Sequence, residues 1–158
     1  AARGPELRVF DAEGSDVGRY VGRSKTVQFG TTTTLFSFFV FLEDLEATME
    51  VSPESGALRF SQYDFYFPEP DCAGQAYSLF AGMLLRPNVG DNSVFALTSN
   101  ELTEVMVMSK GLLPSSEYCQ GATAEGIIGA AIAEQIDLNE LGMSFPLPGP
   151  LVMLPASE

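Results

Sequence analysis

The chain has 158 residues, of which 46% are hydrophobic, and its formal net charge is -13 at pH 7. A chain of this length fits one domain that removes roughly 68–70% of its unfolded surface from water, so a core can form without a metal. The negative charge repels nucleic acid, and no apolar stretch approaches the ~20 residues of a membrane helix, so neither nucleic acid nor membrane insertion is expected.

The first elements of the chain are predicted to be an arm and a β-hairpin. Residues 1–6 have no apolar pattern and predict an N-terminal arm. Strand signals follow at 7–10 and 17–21, and the intervening 11–14 contains Asp and Gly, which tolerate turn conformations. The acids of this turn lack the spacing and the late Glu of an EF-hand loop, so a solvated turn is favoured over a calcium site.

Residues 35–42 give the strongest strand signal, because Phe and Val suit a pleated surface. Alternation places Phe39 and Phe41 on one face and Phe38 and Val40 on the other. Both faces are therefore apolar and must pack against another element to be shielded from water. A central strand covered on both faces is favoured over a strand whose second face contacts another subunit.

Short strand candidates follow at intervals, separated by Gly and Pro turn residues, at 47–51, 57–61, 63–67, 76–80, 83–86, 94–97 and 104–109. Such regular short strands predict an all-β fold, a sandwich or barrel-like domain of about eight to ten short strands with at most one short helix.

The last third of the chain gives a mixed signal. The Ala-rich stretch predicts a short turn or helix near 123–130, and alternation then predicts a strand over 131–138. The prolines of 145–150 exclude a central strand, because each removes a ladder donor. We therefore expect a single β-domain over 7–158, in which 147–158 is a candidate C-terminal arm.

Cysteine usage predicts the compartment. Cys72 and Cys119 are the only two cysteines, and each follows a strand-like segment. One structural disulfide is favoured over two buried free thiols, and in the loop-closure model it stabilises the fold by about 4 kcal/mol. A disulfide places the chain outside a reducing cytosol, in an extracellular or cell-surface location.

Catalytic chemistry is not expected. The chain has no histidine, which removes the imidazole base, the Ser-His triad and histidine metal ligands, and it has no glycine-rich phosphate loop. A carboxylate-dependent hydrolase is disfavoured, since Glu43, Asp44 and Glu46 are more typical of solubilising charges beside an apolar strand. No catalytic residue, metal site or cofactor is predicted, and the chain is interpreted as a non-enzyme.

An aromatic segment supplies the candidate surface contact. Alternation places Tyr63, Phe65 and Phe67 on one face, where the core requires them. Asp64 and Tyr66 have the opposite parity and are the predicted surface contacts.

Four short motifs are spread along the chain. They are Val9-Phe10-Asp11-Ala12-Glu13-Gly14 through Val17-Gly18; Phe65-Tyr66-Phe67 followed by Asp71-Cys72-Ala73-Gly74-Gln75-Ala76-Tyr77; Ser115-Ser116-Glu117-Tyr118-Cys119; and Asp137-Leu138 through Phe145-Pro146-Leu147. Together they resemble a little-characterised bacterial extracellular β-domain family, which often follows collagen-like repeats in surface proteins and phage tail fibres. Gly4-Pro5-Glu6 is similar to a last Gly-X-Y triplet. Residues 35–42 and 122–133 depart from the pattern and are candidate self-association surfaces.

The resemblance implies a structural role outside the cell. We expect a non-enzymatic domain of an extracellular fibre, a homo-oligomer or polymer that assembles by strand addition through 1–6 or 147–154. The alternative is an adhesin or receptor-binding fibre tip that recognises a glycan or a protein.

Overall fold

The structure is a computed structural model that describes residues 6–27, 34–58, 61–62, 64–87, 95–112, 119–121, 126–137, 142–143 and 145–155. Apart from one 3-10 turn at Pro70–Cys72, the regular elements of these residues are all strands. The predicted all-β class is confirmed, and the strands that the structure describes do not close either sheet into a barrel.

The strands are β1 Leu7–Phe10, β2 Asp16–Val27, β3 Thr34–Leu42, β4 Ala47–Val51, β5 Ser61–Gln62, β6 Phe65–Phe67, β7 Ala76–Ser78, β8 Leu84–Pro87, β9 Phe95–Thr98, β10 Thr103–Met106, β11 Ser109–Gly111, β12 Gln120–Gly121, β13 Ile127–Ile136 and β14 Val152–Pro155. These fourteen segments exceed the predicted eight to ten. Some are only two residues long, and the predicted strand at 104–109 is divided between β10 and β11.

The chain forms two compact units, one from 1–60 with 143–158 and the other from 61–142. The first holds a five-stranded sheet in the order β14-β1-β2-β3-β4. The second holds a sheet in the order β12-β11-β6-β7-β13-β9-β8-β5, with β10 also paired to β13. Pairing is antiparallel except between β5 and β8. A single domain over 7–158 stays a prediction, and residues 1–5 of the predicted arm lie outside the described residues.

The predicted hairpin at the start of the first unit is confirmed as β1 and β2. Its turn is held by Asp11, whose carboxylate accepts hydrogen bonds from the N–H groups of Glu13 and Ser15, both at 2.9 Å. Gly14 adopts φ 85°, a conformation that side chains disfavour. The Asp and Gly of this motif therefore form the turn.

The predicted central strand is confirmed as β3, which lies between β2 and β4. The side chains on the two faces of β3 differ in burial. Val40 and Leu42 are buried on one face, whereas Phe39 and Phe41 on the other face are half-buried. β3 is therefore central within its sheet, and the Val40 face is the more buried one toward Leu42, whereas Phe36, nearer the start of β3 on that face, is exposed.

The core of the second unit contains the aromatic pair that alternation predicted. Phe65 and Phe67 are buried and form a cluster with alanines from three neighbouring strands. Tyr63, predicted to share their face, lies outside the described residues. These alanines and phenylalanines come from strands of the same sheet, and the combination of small and large side chains helps to fill the core closely.

The predicted turn or helix near 123–130 is wrong over 127–130, and 122–125 lie outside the described residues. β13 begins at Ile127, and its first four residues pair with β10. Its later residues pair with β7 and β9. These partners are distant in sequence and satisfy the strand backbone, which overrides the helix propensity of alanine.

The predicted disulfide is confirmed between Cys72 and Cys119, with a Cα–Cα distance of 5.9 Å. It joins the 3-10 turn to the residue before β12, at one edge of the second unit's sheet. Beside it, the hydroxyl of buried Ser109 donates to the carbonyl of Glu69 at 2.6 Å and accepts from the N–H of Cys72 at 2.8 Å. The turn is therefore fixed to β11 as well as to β12.

Candidate interaction surfaces

The terminal strand β14 forms one edge of the first unit's sheet. It pairs antiparallel with β1 through four register pairs, from Leu7 with Pro155 to Phe10 with Val152. No strand follows it in the sheet order of the described residues. A free strand edge presents backbone donors and acceptors that another chain can pair with.

All four β14 residues are exposed, although three are large and apolar. Val152, Met153 and Leu154 have relative exposures of 45%, 39% and 49%. Because successive side chains of a strand point to opposite faces, apolar surface is exposed on both faces of β14. The strand is held by its ladder to β1 and contributes no side chain to the core.

The segment before β14 is anchored in the first unit. Leu147 and Leu151 are buried, and their N–H groups donate to carbonyls of the loop 53–56 at 2.9 and 2.6 Å. The predicted arm 147–158 therefore divides into an embedded part and an exposed strand over 152–155. The sequence pattern did not reveal the burial of these two leucines.

Two glycines permit the close approach of this anchor to the loop. Gly56 has φ 75°, and a Cβ there would overlap the carbonyl oxygen of Leu147. A Cβ on Gly149 would overlap the carbonyl oxygen of Glu54. The path of the chain into β14 therefore depends on glycine at both positions.

Strand β1, with which β14 pairs, is held in place by a cluster of ion pairs around Arg8. Arg8 on β1 donates from Nε to Asp16 at 2.8 Å, and from Nη1 to Glu43 at 2.5 Å and Glu6 at 3.3 Å. Hydrogen bonds to Asp16 and then Glu43 hold the pKa of Arg8 above its ordinary value. β1 is thereby tied to β2 and to the turn after β3, so it presents a fixed edge to β14.

A second surface crosses the sheet of the second unit. The strand register aligns one residue from each of five adjacent strands, Gln120, Lys110, Tyr66, Tyr77 and Ile132. We call this set the tyrosine row. Its two tyrosines and its lysine are half-buried, while Gln120 and Ile132 are exposed.

The tyrosine row lies opposite the core. The residues that flank Tyr66 on β6, Phe65 and Phe67, are buried, as are Ala76 and Ser78 on either side of Tyr77. Alternation therefore directs the two tyrosines to the other face of the sheet. Tyr66 therefore lies on the face that its parity predicted but is half-buried, and its role as a surface contact stays a prediction.

Polar side chains border the tyrosine row. Asp64 directly precedes β6 and is half-buried, and Glu134 follows Ile132 by two residues on β13 and is exposed. Asp64 lies next to β6 in the sequence, and its role as a surface contact stays a prediction. The sequence analysis missed Tyr77, Lys110 and Ile132, because their alignment depends on strand register, which one sequence does not reveal.

No protein-family model, curated protein or solved structure matches the chain. Within the described residues, no helix has the length and apolar character needed to cross a membrane. The resemblance to the bacterial β-domain family stays a prediction.

Proposed function

We propose that the protein is a non-enzymatic structural domain of an extracellular or cell-surface fibre, and that copies assemble by exchanging β14. One observation carries this proposal. β14 makes a complete strand ladder with β1 but has no buried side chain. Such a strand can move to β1 of a second copy with the same register and little loss of core contact.

The energetics favour exchange over simple detachment. A detached β14 leaves unpaired backbone groups on β1, whereas β14 from a neighbour restores the same hydrogen bonds. The hinge lies between Leu151, which is buried, and Val152, which is exposed. If the anchored segment stays in its own copy while 152–155 crosses to the next, the β1 edges of the two copies must lie directly beside each other, because one Cα–Cα step of about 3.8 Å joins Leu151 to Val152.

The exposed side chains of β14 supply additional binding energy. Burial of apolar surface is worth roughly 25 cal/mol per Å². In the exchanged strand the side chains of Val152, Met153 and Leu154 keep the surroundings that β1 gives them in the monomer, and the added burial comes where the body of the neighbouring copy packs against their exposed surface. The ladder then provides affinity, and these three side chains provide selectivity.

The disulfide Cys72–Cys119 supports the extracellular setting, because such bonds persist in oxidising compartments. The net charge of -13 favours solubility of the unassembled chain.

Deletion of 152–158 tests the proposal. The truncated chain keeps buried Leu147 and Leu151, so it is expected to remain folded but to form no filaments by electron microscopy. Truncation from 147 is a poor test, because it also removes these two leucines from the core.

The control for this deletion is Val21→Ser, which removes an exposed apolar side chain from β2, away from β14. This variant is expected to form filaments as the unaltered chain does. Filament growth by the 152–158 deletion, or a full chain that stays monomeric under all assembly conditions, would refute strand exchange.

An adhesin or receptor-binding fibre tip that recognises a glycan or a protein is the second candidate. The observation that favours it is the tyrosine row, in which two half-buried aromatic rings and polar groups share one sheet face.

A further inference from the structure

We propose that the tyrosine row binds an extended, neutral carbohydrate chain. This inference gives a ligand class to the second candidate function and does not depend on strand exchange. It starts from the direct register pairing of Tyr66 with Tyr77 on adjacent strands. Cross-strand partners have Cβ atoms about 4.5–5.5 Å apart, so the two aromatic side chains form one platform.

Carbohydrate suits this platform because a sugar ring has a C–H face and a rim of hydroxyls. The C–H face packs on an aromatic ring, and tyrosine also offers a hydroxyl for hydrogen bonding. The hydroxyl rim needs both donors and acceptors. The exposed amide of Gln120 supplies both a donor and an acceptor at one end of the row, and the exposed carboxylate of Glu134 supplies an acceptor at the other end.

The surrounding charge favours a neutral ligand. Asp64 and Glu134 border the row, with Lys110 as its one basic member. The whole chain carries a net charge of -13, which repels uronic acids, sialic acids and sulfated sugars at long range. A neutral sugar meets no such repulsion and still uses the carboxylates as acceptors.

The length of the row favours a chain over a single sugar. Five adjacent strands contribute one residue each. At a strand spacing of about 4.8 Å, four intervals span roughly 19 Å, the length of an extended oligosaccharide of about four rings. Ile132 at the far end adds an exposed apolar contact for the last ring.

The test uses arrays of immobilised neutral oligosaccharides built from glucose, galactose, mannose or N-acetylglucosamine. Uronic-acid and sialylated oligosaccharides of similar length serve as the anionic set. Hits are titrated in solution by tyrosine fluorescence, because the chain has no tryptophan. We expect binding to at least one neutral series, with affinity that rises from two to four rings.

Three variants locate the site. Tyr66→Ala and Tyr77→Ala each remove one stacking ring and are expected to weaken binding about tenfold. Gln120→Ala changes an exposed side chain without disturbing the core and is expected to weaken binding about threefold. The matched control is Phe36→Ala, which removes an exposed ring from β3 in the other unit and leaves binding unchanged.

The 152–158 deletion separates this proposal from strand exchange, because a monomer with an intact row still binds sugar. Failure to bind any neutral oligosaccharide, exclusive binding to the anionic set, or neutral-sugar binding that survives both tyrosine variants and Gln120→Ala would overturn the inference.

Discussion

Two leucines three residues apart have opposite roles. Leu151 is 5% exposed and Leu154 is 49% exposed, because the chain leaves the core between them. Leu151→Ala creates a cavity and is expected to lower the free energy of unfolding by about 2–4 kcal/mol. Leu154→Ala is expected to change it by less than about 0.5 kcal/mol. Urea unfolding of the monomer measures both values.

The two substitutions are expected to rank the other way in their effect on filament formation, where Leu154→Ala has the larger effect. Leu154→Ala removes apolar surface that a neighbour covers in the fibre, so it is expected to raise the critical concentration for filament formation without destabilising the monomer. If both leucines proved equally important for monomer stability, the exposed position of β14 would be contradicted.

The face of the strand on which each side chain lies was predictable within a single strand. Phe65, Tyr66 and Phe67 alternate as expected, since period-two alternation is local. The alignment of Tyr66 with Tyr77 was not predictable, because it depends on the intervening turn. That turn places Asp71 and Cys72 at φ 61° and 55°, values that non-glycine residues rarely adopt.

At the scale of elements, strands whose side chains alternate or are strongly β-prone were predicted best. β4 spans Ala47–Val51, as the sequence indicated, with a strict alternation of buried and half-buried residues. β13 was predicted poorly at its start, because its Ala and Gly residues have weak strand preference. Its pairing with β10, β7 and β9 joins residues that are distant in sequence, and amino-acid composition does not predict such pairing.

The disulfide links the 3-10 turn to the residue before β12, so its removal is expected to destabilise this edge of the second unit's sheet. The double variant Cys72→Ser with Cys119→Ser releases a loop of 47 residues and is expected to lower the free energy of unfolding by about 2–4 kcal/mol. Chemical denaturation with and without reductant measures this cost.

The matched control is the unaltered chain under reductant, which is expected to lose the same stability as the double variant. The serine variant itself is expected to be insensitive to reductant. Equal stability of the oxidised chain and the serine variant would contradict a structural role for the bond.

At the scale of the whole molecule, the two candidate surfaces lie in different compact units. The first unit carries the exposed strand β14, and the second carries the tyrosine row. Assembly and ligand binding are therefore expected to be separable by mutation. The sequence predicted the all-β class and a C-terminal arm, but the division of that arm at Leu151 required the long-range docking of its backbone on Pro53.

Cysteine cross-linking of β14 to β1 tests strand exchange most directly. Phe10 and Val152 are register partners, so Phe10→Cys with Val152→Cys places two thiols opposite each other. Phe41→Cys with Thr48→Cys is the matched control, because these partners lie in the short β3–β4 hairpin.

Oxidised monomer is expected to form the new bond within one chain in both double variants. Oxidised filaments of the Phe10 and Val152 variant are predicted to give a ladder of covalent multimers on a non-reducing gel, whereas the control gives monomer alone. Filaments whose Phe10 and Val152 cysteines join only within single chains would contradict the exchange of β14.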